Sequence, residues 1–178
     1  MTVQSESTGD ITDPAVLRRG YGAFATGVTV VTVGGATPHG MTANSFTTVS
    51  LDPPLILVCV ARDALMHEAL EATGRFGISV LGSDQEPVAR YYADRRRPLG
   101  EEQFRFADWV TGAHTGAPLL AGAAAHLECR LWRTYDGGDH TIFLGRLLDL
   151  RRYVDDDALL FLCGKFRQLD LSRTGVVS

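Results

Sequence analysis

The sequence predicts a mainly β protein, an antiparallel barrel that carries a few short helices. Short runs rich in β-branched and aromatic residues recur along the chain, and turn-forming residues separate them. Only two or three segments have helical spacing, and they do not alternate regularly with the strands. A doubly wound parallel sheet needs that alternation, so an antiparallel arrangement fits the pattern better.

The chain begins with a polar segment and a short helix. Residues 1–12 are weakly patterned, which predicts a disordered tail, and a single domain is predicted over residues 13–178. Asp13 and Pro14 provide an N-cap and a first-turn proline. The helix they open is expected to run through Tyr21.

Three strands are predicted next. Residues 28–33 read VTVVTV and are β-branched throughout, and the Gly34-Gly35 turn separates them from a second strand over residues 40–48. Residues 51–54, LDPP, interrupt the sheet because proline cannot donate to a ladder. Residues 55–60 then resume as a buried apolar strand.

The middle of the chain alternates briefly between helix and strand. Residues 64–73 have helical spacing, and Gly74 is a suitable C-terminal stop. Residues 76–81 are apolar and predict a strand. Glu86-Pro87 opens a further helix, which ends before the cationic run Arg95-Arg96-Arg97.

The second half of the chain predicts a long hairpin. Residues 126–135 and 141–150 are strand-like, and the loop Asp136-Gly137-Gly138-Asp139 joins them. Residues 98–116 before the hairpin are poorly patterned and predict an irregular connection. A last strand is expected over residues 159–162.

Composition excludes several classes of protein. The 178 residues carry a formal net charge of −4, which gives no general attraction to nucleic acid or anionic lipid. Neither a secretory signal nor an apolar run long enough to span a membrane is evident, so a cytoplasmic protein is expected. The three cysteines are widely spaced, and the histidines lack the spacing of a metal ligand set. We therefore expect neither a metal site nor a disulfide framework.

Two local motifs are better explained by structure than by chemistry. Residues 20–25, GYGAFA, match the dinucleotide fingerprint by letter, but a helix precedes the glycines and a strand follows them, which is the reverse of the required order. His67-Glu68 begins like a zinc-protease helix, yet Glu71 stands where the second histidine would be.

Five stretches together resemble the flavin reductase family of split β-barrel proteins, which includes the reductase components of two-component flavin monooxygenases. The resemblance covers most of the chain and implies a six-stranded Greek-key split barrel that forms a homodimer. Its most specific parts are the second and fifth stretches. The stretches are residues 24–32 (FATGVTVVT), 40–60 (GMTANSFTTVSLDPPLILVCV), 74–81 (GRFGISVL), 127–131 (LECRL), and 138–147 (GDHTIFLGRL) with 164–169 (GKFRQL).

Residues 40–50 are suited to hold a flavin ring. Their small side chains let the backbone approach the polar edge of a planar cofactor, and their short hydroxyl and amide groups can bond to it. An ordinary half-exposed strand would have a similar composition. The resemblance makes the segment the main flavin contact, and the predicted contact residues are Met41, Thr42, Ala43, Asn44, Ser45 and Ser50.

The resemblance also implies that the following strand returns four residues to the cofactor: Cys59, Val60, Ala61 and Arg62. A guanidinium suits oxyanions, which makes Arg62 a candidate phosphate partner, although a solvated cap to the strand is an equal alternative. Cys59 lies in an apolar strand and is expected to pack as a small hydrophobic residue.

The nicotinamide is assigned to two residues. By resemblance, His140 lies where the nicotinamide and flavin rings meet, acts as the catalytic residue and is oriented by Asp139. Phe166 occupies a position that is often tyrosine in the family, so only stacking or core packing is left to it.

The resemblance therefore implies an NADH-dependent flavin reductase that supplies reduced flavin to a monooxygenase or halogenase. FAD is preferred over FMN, and NADH over NADPH. Residues 95–97 could meet a dinucleotide phosphate, but a solvated charge run is the commoner reason for such a sequence. Two alternatives stay open, a flavin-binding protein without turnover and a related barrel oxidoreductase with another acceptor.

Overall fold

The computed structural model describes residues 9–153 and 158–169. The predicted tail therefore lies largely outside the described residues. Three α-helices are present in the described part of the chain: α1 Pro14–Tyr21, α2 Leu65–Thr73 and α3 Glu86–Ala93. Single 3-10 helices cover Ser83–Gln85 and Gly100–Arg105. None of the helices in these ranges is long and apolar enough to cross a membrane.

Twelve strands complete the described secondary structure. They are β1 Thr26–Gly27, β2 Thr29–Val33, β3 His39–Ala43, β4 Thr47–Leu51, β5 Pro54–Ala61, β6 Arg75–Val80, β7 Trp109–Thr111, β8 Pro118–Leu120, β9 Ala125–Gly137, β10 His140–Arg152, β11 Ala158–Leu162 and β12 Lys165–Leu169.

Seven of these strands form the main sheet, in the order β3-β2-β6-β9-β10-β5-β4, and every pairing is antiparallel. Strands β1, β11 and β12 form a second sheet, and β7 pairs with β8. The mainly β, antiparallel fold class is thus confirmed. The resemblance implied six strands, whereas the main sheet has seven, and the described residues show no β3–β4 ladder that would close it.

The main sheet curls strongly, so that its two edges approach one another. In a flat sheet β3 and β5 would lie five strand spacings apart, roughly 24 Å. Instead the Ser45 hydroxyl, just after β3, is 2.9 Å from the carbonyl oxygen of Cys59 in β5. The curled sheet encloses a core to which six of its strands contribute, including the fully buried Val31, Phe76 and Phe143.

A second hydrophobic cluster anchors α3 against the sheet. Tyr92 is fully buried there beside Phe104, and the Thr42 hydroxyl donates a 2.7 Å hydrogen bond to the carbonyl of Ala89. A Cβ at Gly40 would lie 2.8 Å from the Tyr92 ring, so only glycine permits this close approach of α3 to β3.

The main departure from the predicted elements concerns residues 40–48, expected as one strand. The chain leaves β3 after Ala43 and begins β4 at Thr47, because β3 pairs with β2 whereas β4 pairs with β5 across the curled sheet. The predicted irregular connection contains a 3-10 helix and β7, and β12 was not predicted. The long hairpin is confirmed, with Gly138 and Asp139 between its strands.

Candidate functional site

A cavity of about 400 Å³ lies between β3 and the start of α2. It is lined by β3 and the residues after it, the end of β5, the first turn of α2, the segment that follows α3, and the first residue of β10. This volume is within the range of small-molecule sites. Eight of the twelve predicted cofactor residues line it: Met41, Thr42, Ala43, Asn44, Ser45, Cys59, Ala61 and His140.

The strand register indicates the order of the lining residues along the cavity. Thr47 pairs with Leu57, and Ser45 contacts Cys59, so β3 and β5 run in opposite directions. Continuing that direction places the end of β3 near Ala61 and its start near α2, which contacts β3. We call the end that contains Asn44, Ala61 and His140 the hairpin end. The end that contains His39 and Arg97 is the arginine end, and roughly 13 Å of β3 separates the two.

At the hairpin end, the loop before β10 orients His140. Its Nδ1 is 2.7 Å from Oδ1 of Asp139, and the hydrogen bond from His140 holds the pKa of that carboxyl below its usual value. An ionised carboxylate only accepts, so Nδ1 carries the proton and Nε2 is the nitrogen left available. Residue 140 also pairs with Ala61 across the ladder.

The polar side chains of residues 40–50, the segment predicted to contact a flavin, are not equally available to a ligand. The Ser45 hydroxyl donates to the carbonyl of Cys59 and accepts from its N–H at 3.0 Å. The Thr42 hydroxyl donates to α3. Both side chains are predicted to contact a cofactor. In the structure, each hydroxyl donates its hydrogen bond to a backbone carbonyl and so helps to hold the strand in place. Asn44 is exposed, and its amide makes no hydrogen bond within the described residues.

Strand alternation separates the four residues predicted at the end of β5. Cys59 and Ala61 are half-buried and line the cavity, whereas the Val60 side chain is 1% exposed and lies in the core. Burial raises the pKa of the Cys59 thiol. The Arg62 guanidinium donates to the carbonyl of Gly138 and to Asp136, so it ties β5 to the hairpin loop rather than facing the cavity.

Ser50 and Phe166 also lie outside the cavity. Ser50 belongs to edge strand β4 and pairs with Leu55. Phe166 belongs to β12, packs edge-on against Phe161, and lies under the guanidinium of Arg90 at 4.9 Å from its ring centroid. The β11–β12 hairpin thus directs this aromatic ring to the second cluster.

At the arginine end, the sequence favoured a solvated charge run over residues 95–97 and kept a dinucleotide phosphate contact as the alternative, and His39 was not singled out. The Arg97 guanidinium donates to the carbonyls of Gly40 and Asp94, and its Nη2 is 3.3 Å from Nε2 of His39. Burial and the adjacent Arg97 cation lower the pKa of His39 to about 4, so the imidazole is neutral at physiological pH. The Tyr92 ring lies beneath the guanidinium, 5.9 Å from its carbon.

Only the cationic run could have indicated this end from the sequence, and its three members differ. Arg95 lines the cavity and pairs with Asp63 at 3.2 Å. Arg96 is exposed and pairs with Asp94. The interpretation as a solvated charge run therefore fits Arg96 but not Arg97.

Away from the cavity, His114, Glu128 and Asp149 bring three possible metal-ligand atoms together. The buried Glu128 Oε2 already accepts from the N–H groups of His114 and Thr115 and from the Thr115 hydroxyl. The buried Glu128 carboxylate is therefore explained by a structural role, because these hydrogen bonds stabilise the turn at residues 112–115.

Comparison with known proteins identifies the family of this chain. A family model, the flavin reductase like domain, matches residues 21–170. An NADH-dependent FAD reductase of Streptomyces globisporus is 56% identical over 159 residues, which cover 89% of this chain and 87% of that protein. An NADH-dependent flavin reductase of a Rhodococcus species is 42% identical over 94% of each chain.

Solved structures show the same relationship. The S. globisporus C-1027 NADH:FAD oxidoreductase SgcE6, in complex with NAD and FAD fragments, superposes with a TM-score of 0.89 at 51% identity, covering 95% of this chain and 100% of that one. BorF, the flavin reductase component of a bacterial two-component tryptophan halogenase, gives 0.86 at 59% identity, covering 88% and 98%. The chain therefore belongs to the flavin reductase family.

Proposed function

We propose that this protein is an NADH-dependent flavin reductase that reduces FAD and supplies it to a separate monooxygenase or halogenase. The observation that carries the proposal is the cavity, in which the flavin-type segment and His140 meet. The names of the S. globisporus and BorF relatives support the choice of cofactors and of partner class. FMN and NADPH are the alternative cofactors.

The cavity residues fit a flavin. Ala43 and Ala61 leave room for a planar ring, Met41 offers an adaptable apolar surface, and the Asn44 amide can both donate and accept. Backbone groups near Ala43 and Ser45 can approach closely because these side chains are small and the Thr42 hydroxyl is turned to α3. Ser45, Thr42 and Cys59 contribute by shaping this backbone. Val60 and Arg62 support it from the core and from the hairpin loop.

When bound, the two cofactors supply the redox chemistry, a hydride transfer from nicotinamide to flavin. The protein's task is to hold the nicotinamide and flavin rings in contact, in the orientation that hydride transfer requires. His140 is suited to this task because Asp139 accepts from its Nδ1 and leaves Nε2 free to bond a ligand at the hairpin end. The one carboxylate in the lining, Asp63, is paired with Arg95. We therefore assign His140 to nicotinamide positioning rather than to general acid catalysis.

We further infer a split barrel that acts as a homodimer in the cytoplasm. The approach of the β3 and β5 regions supports the barrel, and the three free cysteines and use of NADH are consistent with a reducing compartment. Large apolar side chains stay exposed on three strands of the main sheet, which supports a partner surface. They are Val49, Leu51, Trp132, Tyr135, Leu148 and Leu150. Light scattering coupled to size-exclusion chromatography tests the dimer, and a monomer at micromolar concentration would contradict it.

Steady-state oxidation of NADH by the purified protein tests the activity. With excess FAD we expect many turnovers per protein, a smaller kcat/KM with FMN, and a smaller kcat/KM when NADPH replaces NADH. A flavin-binding protein without catalysis would oxidise at most one equivalent of NADH. A barrel oxidoreductase for another acceptor would bind flavin, yet it would turn over only when that acceptor is added.

A further inference from the structure

Arg97 differs from every other arginine around the cavity in how its charge is balanced. Arg95 pairs with Asp63, Arg96 with Asp94, and Arg62 with Asp136. Among the described residues no carboxylate forms an ion pair with Arg97. Its hydrogen bonds go to two backbone carbonyls and to the neutral His39. The Asp94 carboxylate acts on Arg97 from beyond ion-pair distance and is itself paired with Arg96, so Arg97 has no ion-pair partner of its own within the described ranges.

Burial makes this lack of an ion-pair partner costly. Arg97 is half-buried, and desolvation lowers the pKa of its guanidinium. Its buried Nε–H finds no hydrogen-bond partner within the described part of the chain. A half-buried charge normally has an ionic or strongly hydrogen-bonded partner, because removing it from water is otherwise unfavourable. Arg97 lines the cavity, so an anion bound there would supply such a partner.

The surroundings of Arg97 hold the side chain ready for such an anion. The Gly40 and Asp94 carbonyls restrain the guanidinium from two sides, and the Tyr92 ring supports one face of its plane. His39 accepts a hydrogen bond without adding a second positive charge, since it is neutral above about pH 4. A planar guanidinium held in this way suits a phosphate, whose oxygens match its forked donors.

We propose that Arg97 binds a phosphate group of a nucleotide whose ring lies at the hairpin end. The proposal rests on the proposed function for the identity of that nucleotide, because both a flavin nucleotide and NADH carry phosphates. The roughly 13 Å of β3 between the two ends separates the ring position from the phosphate position. Arg97 then selects phosphorylated cofactors over their nucleoside forms.

Equilibrium binding measured by isothermal titration calorimetry tests this role. Riboflavin, FMN and FAD are titrated into the wild-type protein and into the variants Arg97→Gln, Arg97→Lys and Arg96→Gln. For Arg97→Gln we expect the Kd of FMN and FAD to rise about tenfold, because a charge-assisted hydrogen bond is lost, while the Kd of riboflavin stays within about twofold. Arg97→Lys should give a smaller rise, since it keeps the charge without the fork. Arg96 is exposed and outside the cavity, so its variant should resemble the wild type.

A second set of titrations distinguishes the source of the phosphate. NADH is compared with reduced nicotinamide riboside, which lacks phosphates. A tenfold loss for NADH alone, with flavin binding unchanged, assigns the phosphate to the nicotinamide nucleotide. Equal losses for riboflavin and FMN, or no loss with any phosphorylated ligand, would overturn the proposal. If Arg97→Gln does not fold, the same comparison is made with Arg97→Lys.

These outcomes are separate from those of the proposed function. A wild-type protein that binds FAD but does not oxidise NADH catalytically would defeat the reductase assignment, yet the phosphate dependence of flavin binding would still be measurable. Conversely, a fully active reductase in which Arg97→Gln binds FMN, FAD and NADH as well as the wild type would refute only the role of Arg97.

Discussion

The two ends of the cavity use their polar side chains in opposite ways. At the hairpin end, Asn44 and His140 are accessible, and His140 has one ring nitrogen available. At the arginine end, His39 is 9% exposed, its Nε2 accepts from Arg97, and Tyr92 is fully buried. The hairpin end resembles a ligand contact surface. At the arginine end, the charged side chain is held in place by protein contacts.

This difference shows how one strand can serve two purposes. Cavity-lining residues lie near both ends of β3. Its start is fixed by Tyr92 of α3 and by Arg97 after α3, both of which contact Gly40, whereas its end leads to the turn before β4. Variants at the hairpin end should therefore change ligand kinetics at little cost in stability. Variants at the arginine end should affect both.

The largest effect is expected from His140→Ala at the hairpin end. Loss of a nicotinamide-positioning side chain should lower kcat/KM for NADH by about 100-fold, or about 2.7 kcal/mol of transition-state stabilisation. Flavin affinity should change by less than about threefold, because the flavin segment is intact. Steady-state kinetics with varied NADH measures the first quantity, and calorimetric titration the second.

The matched control for this variant is His114→Ala, because His114 is exposed and lies outside the cavity. Its kinetics should equal those of the wild type. Unchanged NADH kinetics in His140→Ala would remove His140 from the site.

The next effect concerns the pH dependence of stability at the arginine end. The pKa of His39 is lowered from 6.5 to about 4, so the unfolded chain binds a proton before the folded protein does. The stability contributed by neutral His39 is complete above about pH 6.5 and is lost as the pH falls towards 4. At pH 5 the loss is about 2 kcal/mol. In His39→Asn, whose amide oxygen can still accept from Arg97, this loss should disappear.

Urea denaturation at pH 7 and pH 5 checks this expectation. The decrease in unfolding free energy between the two pH values should be smaller in His39→Asn than in the wild type by about 2 kcal/mol. His126, whose pKa burial also lowers, contributes in the same direction and is present in both proteins. An equal decrease in both proteins would show that His39 is not held neutral.

A smaller effect is expected where the two edges of the curled sheet meet. Ser45→Ala removes the hydroxyl that pairs with both backbone groups of Cys59. The unfolding free energy should fall by about 1 kcal/mol, since water in the open cavity can partly replace the bonds. Flavin affinity should fall less than in Asn44→Ala, whose amide is free for ligand. Ser50→Ala, outside the cavity, is the control, and a flavin defect larger in Ser45→Ala than in Asn44→Ala would reverse the assignment.

The hairpin end could be predicted from the sequence, and the arginine end could not. Residues 41–45 and His140 lie in contiguous motifs that resemble the flavin reductase family, and this resemblance singled them out. His39 and Arg97 are 58 residues apart, and only the packing of α3 against β3 brings them together. The sequence does not distinguish a half-buried arginine from a solvated one, so RRR could not show that Arg95 and Arg97 line the cavity and Arg96 does not.

The fold divides in a similar way. The 126–150 hairpin follows from alternation and a strong turn, which act over short range. The break between Ala43 and Thr47 depends on which edge of a curled sheet each half joins, and no local signal marks it. The lack of a local signal for tertiary contacts also applies to the hydroxyl groups of Thr42 and Ser45, which suggested ligand contacts. Both residues line the cavity, but each hydroxyl donates its hydrogen to a backbone carbonyl of another element, which the sequence does not show.

The smallest expected effect returns to the hairpin end and concerns the orientation of His140. Asp139→Ala removes the acceptor that keeps the proton on Nδ1, so the imidazole can adopt either tautomer and rotate. Because both side chains are solvent-accessible, we expect only about a two- to fivefold rise in KM for NADH, with flavin affinity unchanged. In His140→Ala the additional Asp139→Ala change should have no effect on KM, since there is no ring left to orient. Additive effects in the double variant would show that Asp139 acts on the nicotinamide independently of His140.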